Sequence, residues 1–129
     1  MKYYFNKVVE GTFEEAITLV TEKLKEKGFG VLTEIDVQAT LKKKIDVDFY
    51  QYKILGACNP QFAYKALQEE DKIGVMLPCN VIVQQKSPED KVEVSAVDPV
   101  ASMGAIENDQ LGAVALEVQG LLRSVIEAL

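Results

Sequence analysis

Two apolar, β-favouring runs in this chain each break at a proline beside a cysteine, in Gly56-Ala57-Cys58-Asn59-Pro60 and in Leu77-Pro78-Cys79-Asn80. Proline fixes φ and has no amide to give to a strand ladder, so each motif marks a junction of a strand with a turn or helix. Asn59-Pro60 is a good helix opening, with asparagine at the cap and proline at the first helical position. Pro78 interrupts a run from Ile73 to Gln85, which predicts an edge strand or a bulge there.

The flanking segments read in the same way. Tyr3 to Val9 is aromatic and β-branched, a strand by propensity, and Gly11 closes it. Thr12-Phe13-Glu14-Glu15 has the form of a capping box, and Phe13, Ala16, Ile17, Val20 and Leu24 follow at helical spacing up to Gly28, a plausible C-cap. Phe29 to Ile35 is a second strand. Asp36 can cap a short helix carrying Val37, Leu41 and Ile45 on one side, with the lysines outward. Phe49 to Ala57 is a third strand, with Tyr50, Tyr52 and Ile54 on one face and Gln51 and Lys53 on the other. The helix opened by Pro60 buries Phe62, Ala63, Ala66 and Leu67.

Towards the C-terminus, Ser87-Pro88-Glu89-Asp90 is a turn between the Ile73–Gln85 strand and a strand from Lys91 to Asp98, an antiparallel hairpin. Pro99 to Ile106 is a short helix or loop. Asp109 can cap a last helix on which Leu111, Val114, Ala115, Val118, Leu121, Leu122, Val125 and Leu129 keep the helical period. Ala113, Leu116 and Ile126 widen that stripe beyond the needs of one sheet contact. A second apolar surface is implied, and a homodimer is the expected use of it.

The element order, βαβαβαββα, mixes hairpin and helical connections. It predicts an α+β fold, a two-layer sandwich with one mixed or mainly antiparallel sheet of about five strands and helices packed on it. No linker, repeat or low-complexity run divides residues 1–129, so a single domain is expected. No glycine-rich phosphate loop follows any strand, and Gly104-Ala105-Ile106 does not supply one, which disfavours a doubly wound nucleotide fold.

A formal charge of −6 argues against nucleic acid and against anionic lipid as partners, since both call for a basic surface. Lys42-Lys43-Lys44 is the one basic cluster and reads as a solvated helix face. No stretch approaches the ~20 apolar residues of a membrane span. The N-terminal segment through Lys7 has no signal-peptide character, so a cytoplasmic protein with reduced thiols is expected, and a structural Cys58–Cys79 disulfide is disfavoured.

The chain has no histidine, which removes most standard catalytic and zinc-binding schemes and leaves the two cysteines as its nucleophilic and soft-metal groups. Cys58 precedes a helix N-terminus, where partial positive charge favours a thiolate. Strand parity also allows a packing role for both: Cys58 continues the Tyr50, Tyr52, Ile54 face, and Cys79 shares a face with Val75, Leu77, Val81 and Val83. On neighbouring strands the thiols could meet as a reversible dithiol couple, as part of a metal site, or around a small sulfur or electrophilic ligand. A metal, if any, would use Cys58 and Cys79, supplemented from a second subunit or by carboxylates such as Asp36 or Asp98. No cofactor is specified by the sequence.

Three carboxylates offer another chemistry. Glu34 and Asp36 alternate at the end of a strand, and Asp98 ends another before Pro99. Acid–base work would require them to converge in a cleft; the plain alternative is helix caps and solvated strand ends.

The segments Tyr52 to Pro60, Ala63 and Leu67, Leu77 to Val83, and Val94 to Asp98-Pro99, with Glu34-Ile35-Asp36-Val37, resemble the family called domain of unknown function 302. That resemblance covers almost the whole chain and implies an α+β domain that forms dimers; the family brings no reaction with it. Two readings of function stand side by side. One is a small-ligand, metal or thiol-exchange site around Cys58, Asn59, Cys79 and Asn80, with Glu34, Asp36 and Asp98 as further candidates. The other is a non-enzymatic homodimeric interaction module with structural cysteines, working through the Leu111–Leu129 helix.

Overall fold

The computed structural model describes residues 2–129; Met1, where the expected single domain begins, lies outside that range. The elements run β1 (Tyr4–Val9), α1 (Phe13–Glu26), β2 (Gly30–Asp36), α2 (Val37–Ile45), β3 (Gln51–Cys58), α3 (Pro60–Glu69), a 3₁₀ turn (Ile73–Met76), β4 (Cys79–Gln85), β5 (Val92–Val97), α4 (Pro99–Ser102) and α5 (Asp109–Glu127). The strands form one five-stranded sheet in the order β1-β5-β4-β3-β2, and every neighbouring pair is antiparallel. This is the expected α+β architecture, with the mixed option resolved to antiparallel.

Local signals set most of the element ends. Thr12 and Glu15 exchange both capping-box bonds, the Glu15 amide donating to Thr12 Oγ1 at 3.1 Å and the Thr12 amide to Glu15 Oε1 at 2.9 Å. Gly28, at φ 86°, ends α1 in a Schellman arrangement: the Phe29 amide donates to the Leu24 carbonyl at 2.9 Å and the Gly28 amide to that of Lys25 at 3.0 Å. Asp36 caps α2, accepting from the Ala39 amide at 2.9 Å.

Two expectations shift. The run from Ile73 to Gln85 is not one strand: it turns as a 3₁₀ helix over Ile73–Met76, and the strand begins at Cys79, after a cis Leu77–Pro78 bond. Pro78 therefore stands just outside β4, and β4 is an interior strand rather than an edge, so the missing amide costs the ladder nothing. The cap of α5 is Asn108, one residue before the expected Asp109; its Oδ1 accepts from the amides of Gln110 and Leu111, both at 3.1 Å.

The sheet has unlike faces. Leu55, Ala57, Cys79, Val81, Val83, Val92, Val94 and Ala96 point to one side and pack with Val20 and Leu24 of α1 and Val118, Leu122 and Val125 of α5 in the main core. The alternate residues form the other side, where a row crosses all five strands in register: Ile35, Ile54, Ile82, Ser95, Asn6. Of these only Ser95 is buried, beneath the Asn6 amide that donates to its hydroxyl at 2.9 Å. No helix covers this face.

Part of the breadth of the α5 stripe has an internal cause. The helix packs against α1, α3, α4, β1 and β5, and Leu111 belongs to one buried cluster while Leu122 and Val125 belong to the other. Leu116 alone among its large apolar residues stays well exposed, at 60%. Of the residues that widen the stripe, Ile126 joins the main core, while Ala113 is exposed with Leu116.

Candidate functional site

The two cysteine motifs meet at one end of the sheet because β3 and β4 are neighbours. Their register pairs Gly56 with Asn80 and Ala57 with Cys79. Gly56 is where the motifs interlock: a Cβ there would lie 2.8 Å from Cγ of Pro78 and closer still to the Thr33 hydroxyl. Only a hydrogen side chain admits both, which accounts for this glycine and couples it to the proline of the other motif.

The same register keeps the thiols from pairing. Cys79 lies across from Ala57, so Cys58 is one residue out of step, and successive residues of a strand point to opposite sides. Both cysteines are free, Cys79 buried and Cys58 half-buried. Among the described residues no group of three or more Cys, Asp or Glu side chains is placed to hold a metal ion.

Both cysteines nonetheless contribute to the lining of a cavity of about 40 Å³ between this end of the sheet and helices α3, α4 and α5. That is larger than the ~10–15 Å³ one water needs. Phe29, Phe62, Met103 and Val118 make much of its wall, and apart from the thiols only Asn59 brings a polar side chain. Voids lined by hydrocarbon stay dry and accept apolar or polarisable atoms. Burial pushes the Cys79 thiol up to about 11, with the nearby Cys58 adding to the shift, so at neutral pH Cys79 is a protonated S–H in the wall. Such a thiol is a soft, weak donor and a poor nucleophile.

Asn59 occupies the cap position of α3 without a side-chain capping bond. Its Nδ2 donates instead to the Lys27 carbonyl at 3.3 Å, tying the end of α1 to the start of α3 beside the cavity. Asn80 is exposed and turns the other way, into a groove on the uncovered face of the sheet.

The carboxylates do not converge. β2 and β5 are separated by β4 and β3, which puts Asp98 more than about 14 Å from the β2 acids at the usual strand spacing. Each acid also has a structural partner. Glu34 Oε1 lies 3.7 Å from Lys53 Nζ, and Asp36 caps α2. Asp98 Oδ1 accepts from the Val100 amide at 3.0 Å and from Gln119 Nε2 at 3.1 Å. The cap-and-strand-end alternative describes all three.

Phe29, Met103 and Val118 were not singled out by sequence as site residues. Periodicity identifies a buried face but does not distinguish a side chain that fills the core from one that borders a void.

A family model described as "Domain of unknown function DUF302" matches residues 5–129. No curated protein matches the chain. Among solved structures it is similar to the crystal structure of an uncharacterized conserved protein DUF302 from Bacillus stearothermophilus, at 27% identity and a TM-score of 0.90, over 98% of each chain.

Proposed function

This chain belongs to the family of the domain of unknown function DUF302, and from that premise we propose that it is a small-ligand-binding domain whose site is the cavity at the cysteine end of the sheet. The observation that carries the reading is the meeting of both cysteine motifs around one hydrocarbon-lined void. A site with this lining takes a ligand of a few non-hydrogen atoms that is apolar or polarisable. Cys58, half-buried, meets it at the rim, and protonated Cys79 lends a soft S–H in the wall. Asn59 holds the rim to the end of α1.

Thiol exchange has less support than binding, because the thiols are out of register and Cys79 resists ionisation. A metal would need ligands beyond the two cysteines, and among the described residues no Asp or Glu joins them in a group of three.

Dissolved xenon, an apolar and polarisable probe, tests the site by nuclear magnetic resonance. Saturable shifts of the Cys58, Asn59 and Phe62 amides are expected, together with slower alkylation of Cys58, and both effects should vanish in Ala63→Leu, which fills the void. Absence of saturable shifts in the wild type, or shifts unaffected by Ala63→Leu, would sink the reading.

A further inference from the structure

Helix α3 differs from the other helices at the end that meets the cavity. Thr12, Asp36, Asp98 and Asn108 each accept a bond from an amide of the helix they open. Asn59 does not, because its amide group is turned to the Lys27 carbonyl. Pro60 has no N–H to offer, and among the described residues the amides of Gln61 and Phe62 have no acceptor. Two donors and the positive end of a ten-residue helix therefore follow directly on Cys58. Phe62, which carries one of these amides, also lines the void.

An independent feature belongs to the other motif. Cys79 is only 8% exposed and lines the same void, and no hydrogen bond acts on its thiol. Burial keeps its proton in place, so it presents an S–H for which the protein supplies no acceptor. Met103, at the end of α4, adds a thioether. The void thus has a soft, polarisable wall and an electropositive rim.

Resting on the ligand-site reading above, we propose that the group held here is a sulfane sulfur, carried on Cys58 as a persulfide. The donor is a low-molecular-weight persulfide, R–S–SH. Cys58, half-buried, gives its proton to solvent, and its thiolate attacks the donor's outer sulfur. The new S–S bond forms as the R–S bond breaks, and R–S⁻ leaves with the bonding pair. The product Cys58–S–SH then passes its proton to that thiolate, which departs as R–SH. One sulfur atom moves, and no outside oxidant or reductant is needed. The outer sulfur suits the void beside Cys79 and Met103, and its negative charge suits the amides of Gln61 and Phe62. An oxygen in its place, as in a sulfenic acid, would be a strongly hydrated group set against hydrocarbon. Unlike dithiol exchange, this step ionises one cysteine only, so neither the strand register nor the protonated Cys79 opposes it.

Mass spectrometry of the full chain after incubation with cysteine persulfide tests the assignment. One added sulfur on Cys58 is expected in the wild type and in Cys79→Ala, and none in Cys58→Ser. Against dithiothreitol it should last about tenfold longer or more on the native protein than on the urea-unfolded chain, the scale of a hydrogen bond to a charged group. Loading should also abolish the xenon-dependent amide shifts, because the outer sulfur takes the void. Sulfur on Cys79, a native persulfide that decays as fast as the unfolded one, or xenon shifts that survive loading would each overturn the proposal. Xenon shifts in a wild type that does not load would remove the persulfide and leave the ligand site standing, whereas a wild type without xenon shifts would remove both.

Discussion

At the cysteine end of the sheet, β3 runs into α3 and β4 starts from Pro78, with α4 and α5 closing over them; Phe29 is 2% exposed there and Gly56 has no room for a methyl group. At the opposite end, β2 runs into α2, and the exposed residues include Ile35, Ile45 and Val47. Both ends consist of a strand, a short helix and a returning strand. They differ in what lies against them: the cysteine end has three helices and the α2 end has chiefly its own two strands. A capped amphipathic helix thus states that a face will be covered, and the rest of the fold states by what.

That contrast predicts unequal sensitivity to mutation. The largest loss should come from Phe29→Ala, about 3–5 kcal/mol in urea unfolding, since it enlarges a void in a packed region. A loss below about 1 kcal/mol would mean that the cysteine end is as loose as the other.

Alkaline pH should come next. Cys79 has an ordinary thiol pKa of about 8.5 when unfolded and one pushed up to about 11 when folded. Both states hold the proton below about pH 8.5, so the stability is fully present there; above it the unfolded chain ionises first, and stability falls by up to about 3 kcal/mol as pH rises through about 11. Comparing unfolding of the wild type and Cys79→Ala across that window isolates this effect, and equal slopes would show that Cys79 is not desolvated.

Gly56→Ala should cost about 1–3 kcal/mol, because Pro78 and Thr33 must move apart; a neutral result would loosen the link between the two motifs. Asn59→Ala should cost about 1 kcal/mol through its bond to Lys27. At the α2 end, Ile45→Ala should change the unfolding free energy of the monomer by less than about 0.5 kcal/mol, as suits an exposed site. A large effect of Ile45→Ala at dilution would erase the difference between the ends.

Much of this architecture was legible along the chain. Thr12, Asp36 and Gly28 announce helix ends because capping acts over three or four residues, and the strand parity of Tyr52 and Ile54 against Leu55 and Ala57 follows from the backbone pleat. The site was legible only as a neighbourhood. Cys58, Asn59 and Cys79 do border one void, whereas Asn80 turns to the other face and Glu34, Asp36 and Asp98 are dispersed. Of the residues that widen the α5 stripe, Ile126 is buried in the main core, a contact distant in the chain, whereas Ala113 and Leu116 stay exposed.

Sequence by itself determined the element types, most of their limits and the side each strand turns inward, since these depend on neighbours a few residues away. Tertiary structure decided the register that sets Cys79 opposite Ala57, the void beside it, and which amphipathic surfaces are left uncovered. A slip of one residue between β3 and β4 would exchange their faces, and the choice among such pairings is made by packing across the whole sheet, which no short window of residues contains.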